Sequence, residues 1–203
     1  YWHTVGTSGL AYTFASNPAL ALDQSGVPYL FAGGKLFMYN SASCVLASDS
    51  INSSESNEME ITYSNDLYIS TSTEQCKVYK QNGYSWQRLD TGGISEDSSA
   101  QYLKIAADTN GTPYAAYIKD NRINIKRYSG SQWANLDSGL YYSGYTDWAS
   151  CNIVINKVTN EPYIAFVDTT ARAVVKRYDG TRWQDVGGPL FLTDKISNIS
   201  ITI

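Results

Sequence analysis

One short phrase recurs along this chain, and its spacing constrains the fold more than any other feature. The copies are Val78-Tyr79 running through Gly83 to Trp86, Ile125-Lys126-Arg127-Tyr128-Ser129-Gly130-Ser131-Gln132-Trp133, and Val175-Lys176-Arg177-Tyr178-Asp179-Gly180-Thr181-Arg182-Trp183. A decayed copy, Phe37-Met38-Tyr39 through Cys44, has cysteine where the others have tryptophan. A period of about 40 to 50 residues is the mark of a repeat architecture, because one such unit cannot bury its apolar face alone.

Each repeat holds four strand-like runs. The first is apolar: Leu20-Ala21-Leu22, Ile61-Thr62-Tyr63, Ile105-Ala106-Ala107 and Ile153-Val154-Ile155. A turn follows, best formed as Asp23-Gln24-Ser25-Gly26 and Asp108-Thr109-Asn110-Gly111; Asp and Asn bond their own backbone there and Gly supplies positive φ. The second run opens with Pro28-Tyr29, Pro113-Tyr114 or Pro162-Tyr163, and with Leu67-Tyr68 in the second repeat. Proline is tolerated at the first residue of a strand because its missing N–H lies outside the ladder. The third run carries the recurrent phrase, and the fourth starts at Trp86, Trp133 or Trp183. No stretch keeps a helical apolar period.

This pattern predicts an all-β chain, a β-propeller of four-stranded antiparallel blades. The four full repeats span approximately 8–46, 47–92, 93–138 and 139–188, as a single propeller segment over 1–203. Orphan strands are expected at 1–6 (Trp2 to Gly6) and 196–203 (with Ile199, Ile201 and Ile203), as in a segment of a larger propeller or repeat protein. Between blades, the expected packing rings are Tyr29, Tyr68, Tyr114, Tyr163, Trp86, Trp133 and Trp183, each large enough to bury roughly 150–250 Å².

Composition narrows the function classes. Lys and Arg number 15 against 19 Asp and Glu, a net charge of −4 that lacks the basic footprint nucleic acid requires. No apolar run approaches the roughly 18 residues of a membrane span, so no membrane insertion is expected. The chain starts at Tyr1, consistent with a removed leader or with a fragment. Cys44, Cys76 and Cys151 have no zinc-like spacing and only His3 to assist them, so neither metal nor cofactor is expected. They read as three semi-buried thiols, or as one disulfide with a free thiol.

The blade phrase, Trp-x-x-Val/Leu leading to Asp-x-x-Gly-x-Pro-Tyr and then Lys-x-Tyr-x-Gly-x-x-Trp, resembles the repeats of secreted bacterial and environmental surface propellers. The match is cleanest over 100–188. Gly83/Trp86, Gly130/Trp133 and Gly180/Trp183 are also distantly similar to the Asp-box of sialidase propellers, although Asp179 directly precedes Gly180 and the leading Ser/Thr is missing. A kelch likeness rests on Gly33-Gly34 alone. The resemblance implies a secreted or cell-surface module used for binding or adhesion.

Candidate chemistry is sparse. The only histidine, His3, follows Trp2 near the start of the chain, and a nucleophilic triad needs a base beside its nucleophile. Asp147, Asp168 and Asp194 have no cue that pairs them. Glu55, Glu58 and Glu60 read as a solvated acidic loop, and the Asp108 turn lacks the distal oxygen ligands of a calcium loop. The strongest ligand-binding candidate is the aromatic stretch Tyr141, Tyr142, Tyr145, Asp147 and Trp148, where rings can stack on sugars and polar tips can bond hydroxyls. The expectation is a non-catalytic extracellular module for recognition or adhesion, lectin-like, with a glycan or an extracellular protein as partner. A structural building block that self-associates is the alternative, and a propeller hydrolase or lyase the third reading. An enzyme would place charges at the central channel, whereas the first runs read as Leu, Ile, Ala and Val.

Overall fold

The computed structural model describes residues 18–48, 50–51, 58–72, 75–89, 94–95, 100–141, 151–168, 172–188 and 199–203. These form sixteen strands in four antiparallel sheets, each of four strands in chain order, and the described residues include no helix. Blade 1 holds β1 (Ala19–Leu22), β2 (Pro28–Ala32), β3 (Lys35–Tyr39) and β4 (Cys44–Leu46). Blade 2 holds β5 (Glu58–Ile61), β6 (Leu67–Thr71), β7 (Lys77–Asn82) and β8 (Ser85–Arg88). Blade 3 holds β9 (Gln101–Ala107), β10 (Pro113–Lys119), β11 (Arg122–Tyr128) and β12 (Trp133–Tyr141). Blade 4 holds β13 (Cys151–Ile155), β14 (Pro162–Val167), β15 (Ala173–Tyr178) and β16 (Trp183–Asp185).

Successive sheets meet along their first strands: β1 lies against β5, β5 against β9, and β9 against β13. The sheets therefore converge at the first strands and splay toward the fourth. Three apolar layers fill the wedges. Phe31, Leu36, Met59 and Ile69 join blades 1 and 2; Tyr68, Val78, Leu103, Ile105 and Tyr117 join blades 2 and 3; Tyr114, Ile125, Ile153, Ile164 and Phe166 join blades 3 and 4. Period-2 alternation sends successive residues of each strand to opposite sheet faces, so every interior blade is glued on both sides.

Strand register shows which residues are equivalent. Tyr29, Tyr68, Tyr114 and Tyr163 stand opposite Met38, Lys80, Arg127 and Arg177. At the outer hairpin, Cys44, Trp86, Trp133 and Trp183 stand opposite Tyr39, Gln81, Tyr128 and Tyr178. The blade 2 counterpart of Tyr128 is therefore Gln81, not Tyr79 as the phrase alone implies; β7 has the extra residues because its hairpin turns at Gly83 and Tyr84, with Asn82 still paired to Ser85.

The recurrent rings make the contacts that follow from this register. Trp86 donates its indole N–H to Ser48 Oγ at 2.9 Å and meets Phe31 edge-on at 6.1 Å, both across the blade 1–2 joint. Trp133 and Trp183 pack against Tyr128 and Tyr178, with ring centroids 5.3 Å apart in each pair. Their buried indole N–H groups have no hydrogen-bond acceptor among the described residues.

Three sequence expectations change. Glu58 and Glu60 lie in β5 and not in a solvated loop, and Tyr63 belongs to the following turn. They alternate with Met59 and Ile61, which take the face toward blade 1, so strand pleating rather than hydrophobicity decides their place. Residues 199–203, the described part of the orphan strand expected at 196–203, form no strand. Tyr141 ends β12, opposite Arg122, instead of opening a loop. The N-terminal orphan strand at 1–6, including His3, lies outside the described residues.

Candidate functional site

Two grooves of the same construction open where the inner turns meet the outer hairpins of adjoining blades. The first, about 740 Å³, lies between blades 2 and 3 and is lined by Tyr68, Lys80, Asn110, Gly111, Tyr128 and Gly130, among others. The second, about 590 Å³, lies between blades 3 and 4 and is lined by Tyr114, Arg127, Thr159, Asn160, Tyr178 and Gly180, among others. These are the same positions moved along by one blade: a second-strand tyrosine, its cross-strand cation, the inner turn of the next blade, and that blade's outer hairpin.

The tyrosine and the cation are held together in both grooves. Lys80 Nζ sits 5.5 Å from the centre of the Tyr68 ring, and the Arg127 guanidinium 5.8 Å from that of Tyr114. A cation over an aromatic face is favourable by about 0.5–1 kcal/mol where exposed. Lys80 also pairs with Asp66 at 2.9 Å. Arg127 is exposed, and no carboxylate among the described residues forms an ion pair with it, because Thr112 stands where blade 2 has Asp66. Burial raises the phenol pKa of both Tyr68 and Tyr114, so both rings present a neutral O–H at physiological pH.

The walls are rigid because each turn is tied by its own side chains. Asp108 Oδ1 accepts from the backbone N–H groups of Asn110 and Thr112 at 3.0 and 2.8 Å. Asn160 Oδ1 accepts from the backbone N–H and hydroxyl of Thr109 at 3.0 and 2.8 Å, lacing the blade 3 turn to the blade 4 turn. Asp179 accepts from the backbone N–H groups of Thr181 and Arg182 and from Gln184 Nε2. Those bonds, led by the one from Arg182, drive its pKa far below the usual carboxylate range, so it stays an anion at the lip of the second groove. The arrangement offers ring edges, a free guanidinium, amide and hydroxyl groups and fixed carboxylates, a set suited to a polyhydroxylated ligand.

At the blade 1–2 joint the equivalent positions are Met38 and Gln81. Gln81 is spent on a bond from Nε2 to the Ala47 carbonyl at 3.1 Å. The cation and the second tyrosine are both missing there.

Charge also gathers nearer the first strands, where sequence reading expected only apolar residues. Lys104 Nζ meets Glu58 Oε2 at 2.6 Å, and Lys157 Nζ reaches Glu60 Oε1 at 3.5 Å and the Ala107 carbonyl at 2.6 Å. Glu60 also accepts from the Ala107 N–H at 3.3 Å. Burial raises the Glu60 pKa, against the opposing pull of Lys157. Each carboxylate is thus held by a cation from a later blade, which makes this cluster a clamp across blades 2, 3 and 4.

The other candidates resolve plainly. Tyr142, Tyr145, Asp147 and Trp148 lie outside the described residues, as does Asp194, and only the backbone of Tyr141 is placed. Asp168 binds Arg172 at 2.8 Å across its own hairpin. Cys44, Cys76 and Cys151 are free thiols, and burial pushes the latter two buried ones up to about 11 and about 12, which disarms them as nucleophiles. Among the described residues no group of three or more His, Cys, Asp or Glu side chains is placed to hold a metal. Among the described residues no helix is long and apolar enough to cross a membrane. Sequence reading missed the grooves because Lys80, Arg127 and Arg177 belong to a phrase read as strand; their spacing from Tyr68, Tyr114 and Tyr163 is a cross-strand relation that only register reveals.

No protein-family model and no curated protein sequence matches the chain. Solved structures do resemble it. A TolB-like protein from Agrobacterium tumefaciens aligns at 15% identity over 84% of this chain and 61% of its own, with TM-score 0.59. A virginiamycin B lyase from Staphylococcus aureus aligns at 12% identity over 84% and 55%, with TM-score 0.58. The SapL1 lectin in complex with alpha methyl fucoside aligns at 14% identity over 87% and 64%, also with TM-score 0.58. The chain spans about 55% to 64% of the lengths of these proteins. At such identities the likeness concerns the fold, and that fold is the β-propeller.

Proposed function

We propose that this chain is a non-catalytic recognition module of a secreted or surface protein, and that it binds glycans in the grooves between its blades. The observation that carries the reading is the recurrence of one lining at two joints: Tyr68 with Lys80 facing Tyr128, and Tyr114 with Arg127 facing Tyr178. Packing alone does not require a cation beside the tyrosine, since Met38 serves at the first joint. The exposed Arg127 supplies a planar donor fork, the Asn and Thr turn groups add hydroxyl partners, and Asp179 adds an acceptor. That lectins and enzymes both occur among propellers leaves the fold neutral on catalysis; the lectin neighbour, solved with a fucoside, supports the sugar reading. The aromatic stretch from Tyr141 to Trp148 is a further contact surface under this proposal, with an extracellular protein as the other partner class.

The test is a glycan array followed by calorimetry on the best hit. Arg127→Ala should weaken binding at least tenfold, because a hydrogen bond to a charged group contributes about 1.5–3 kcal/mol, while the melting temperature stays near that of the parent. Lys80→Ala should act independently at the other groove. Silence across all sugars, or binding indifferent to both substitutions, would sink the proposal.

A further inference from the structure

The two end faces of the described sheets are the two halves of a joint that the molecule already makes internally. Blade 2 docks on blade 3 with Tyr68, Val78 and Leu89, which are 3%, 0% and 7% exposed. Register maps these onto Tyr163, Val175 and Val186 of blade 4: Tyr163 faces Arg177 as Tyr68 faces Lys80, and Val186 bonds Val175 as Leu89 bonds Val78. There Tyr163 and Val175 are only half-buried and Val186 is 44% exposed.

At the opposite end, Leu20 and Leu22 of β1 are 69% and 59% exposed. Their equivalents facing the preceding blade are Met59 and Ile61 in β5, Ile105 and Ala107 in β9, and Ile153 and Ile155 in β13. Met59, Ile105 and Ile153 are 7%, 4% and 3% exposed. Thus β1 carries the glue of an interior blade, and among the described residues no further sheet covers it.

The inner turns show that the two ends match in type as well as in apolar character. The left-handed residue of the turn alternates: Gly26 and Gly111 (φ 78° in both) in blades 1 and 3, Asn65 and Asn160 (φ 61° and 56°) in blades 2 and 4. Each asparagine reaches back to the turn before it, Asn65 to the Gln24 N–H and Asn160 to the Thr109 N–H, both at 3.0 Å. The joint from an asparagine blade to a glycine blade is made differently: Tyr68 donates its O–H to the Gly111 carbonyl at 3.0 Å. Blade 4 is an asparagine blade, and among the described residues no further turn receives Tyr163; blade 1 is a glycine blade.

We propose that blade 4 of one copy of this chain docks on blade 1 of a second copy, head to tail, repeating the joint between blades 2 and 3. Tyr163 then meets the Gly26 turn, and Val175 and Val186 cover Leu20 and Leu22. The contact is heterologous, so it propagates to a ring where the rotation closes. It also completes a third groove, because Tyr163 and Arg177 of one copy face Tyr39 and the Asn40-Ser41 turn of the other. Ser41, with φ 73°, takes the place of Gly130 and Gly180 in the existing grooves.

The test is the mass in solution, which does not depend on any ligand and so stands apart from the glycan reading. Light scattering across a concentration series should show species larger than one chain. Leu20→Glu with Leu22→Glu, or Val186→Glu alone, should shift the mass to a single chain with unchanged circular dichroism, since all three side chains are exposed. Mixing the two monomeric variants should restore a 1:1 dimer, because each keeps one intact face. A parent chain that stays monomeric overturns the proposal and assigns these faces to other blades of its own polypeptide. A parent that assembles but whose variants fail to complement overturns the head-to-tail arrangement.

Discussion

At the residue scale, the same side chain does different work according to its partner across the sheet. Trp86 spends its N–H on Ser48, while Trp133 and Trp183 lean on Tyr128 and Tyr178. Thiols divide in the same way. Cys76 lies beside Ser95 in the layer between blades 2 and 3, and Cys151 in that between blades 3 and 4. Their pKa values of about 11 and about 12 keep the reactive thiolate negligible at neutral pH. Maleimide labelling of the native chain at pH 7.5, read by mass spectrometry, should therefore modify Cys44 within minutes and leave Cys76 and Cys151 intact until denaturant is added. Rapid labelling of all three would contradict the packing of both layers. The sequence showed three thiols without metal spacing; it left open a disulfide, because pairing depends on distances that primary structure does not contain.

At the element scale, the inner turns are the units that repeat most faithfully and differ most usefully. Gly26 and Gly111 share φ 78°, so an alanine at either pays the left-handed penalty of about 1 kcal/mol or more. Their surroundings differ. A Cβ on Gly111 would lie 3.3 Å from Asp66 Oδ2 and 3.5 Å from Ser64 Oγ, whereas a Cβ on Gly26 would meet nothing within 4 Å. Thermal melts of dilute protein should show Gly111→Ala as the more destabilising of the pair, by roughly 0.5–1.5 kcal/mol beyond the shared backbone term. Equal losses would mean that the turn of blade 3 does not close on blade 2. The Asp-x-x-Gly turns were legible as words in the sequence. The asparagine turns were not, since nothing local distinguishes Asn65 or Asn160 from a loop residue until the neighbouring turn comes within reach of its amide.

At the scale of the whole molecule, stability follows neighbours. Blades 2 and 3 are covered on both faces and blade 1 leaves Leu20 and Leu22 in solvent, so opening should be easiest at that end. Hydrogen exchange on dilute protein should find β1 amides exchanging at least tenfold faster than those of β9 and β13, with β10 and β14 slowest. Uniform protection of all four first strands would instead mean one indivisible cooperative unit. The ion pairs from Glu58 to Lys104 and from Glu60 to Lys157 tie blades 2, 3 and 4 together near the first strands, a restraint that β1 lacks among the ion pairs of the described residues.

The all-β architecture, the number of complete sheets and the hairpin order were written in the primary structure, because turn chemistry and the two-residue alternation of strands are local and repeat at fixed distance. Register was not. Only the folded sheet sets Lys80 over Tyr68 and Arg127 over Tyr114, moves Glu58 and Glu60 from a supposed loop into β5, and puts Gln81 where a tyrosine was anticipated. The grooves, and the match between the faces of blades 1 and 4, arise from residues that are distant along the chain. Their meeting is fixed by how neighbouring sheets stack, which no single stretch of sequence encodes.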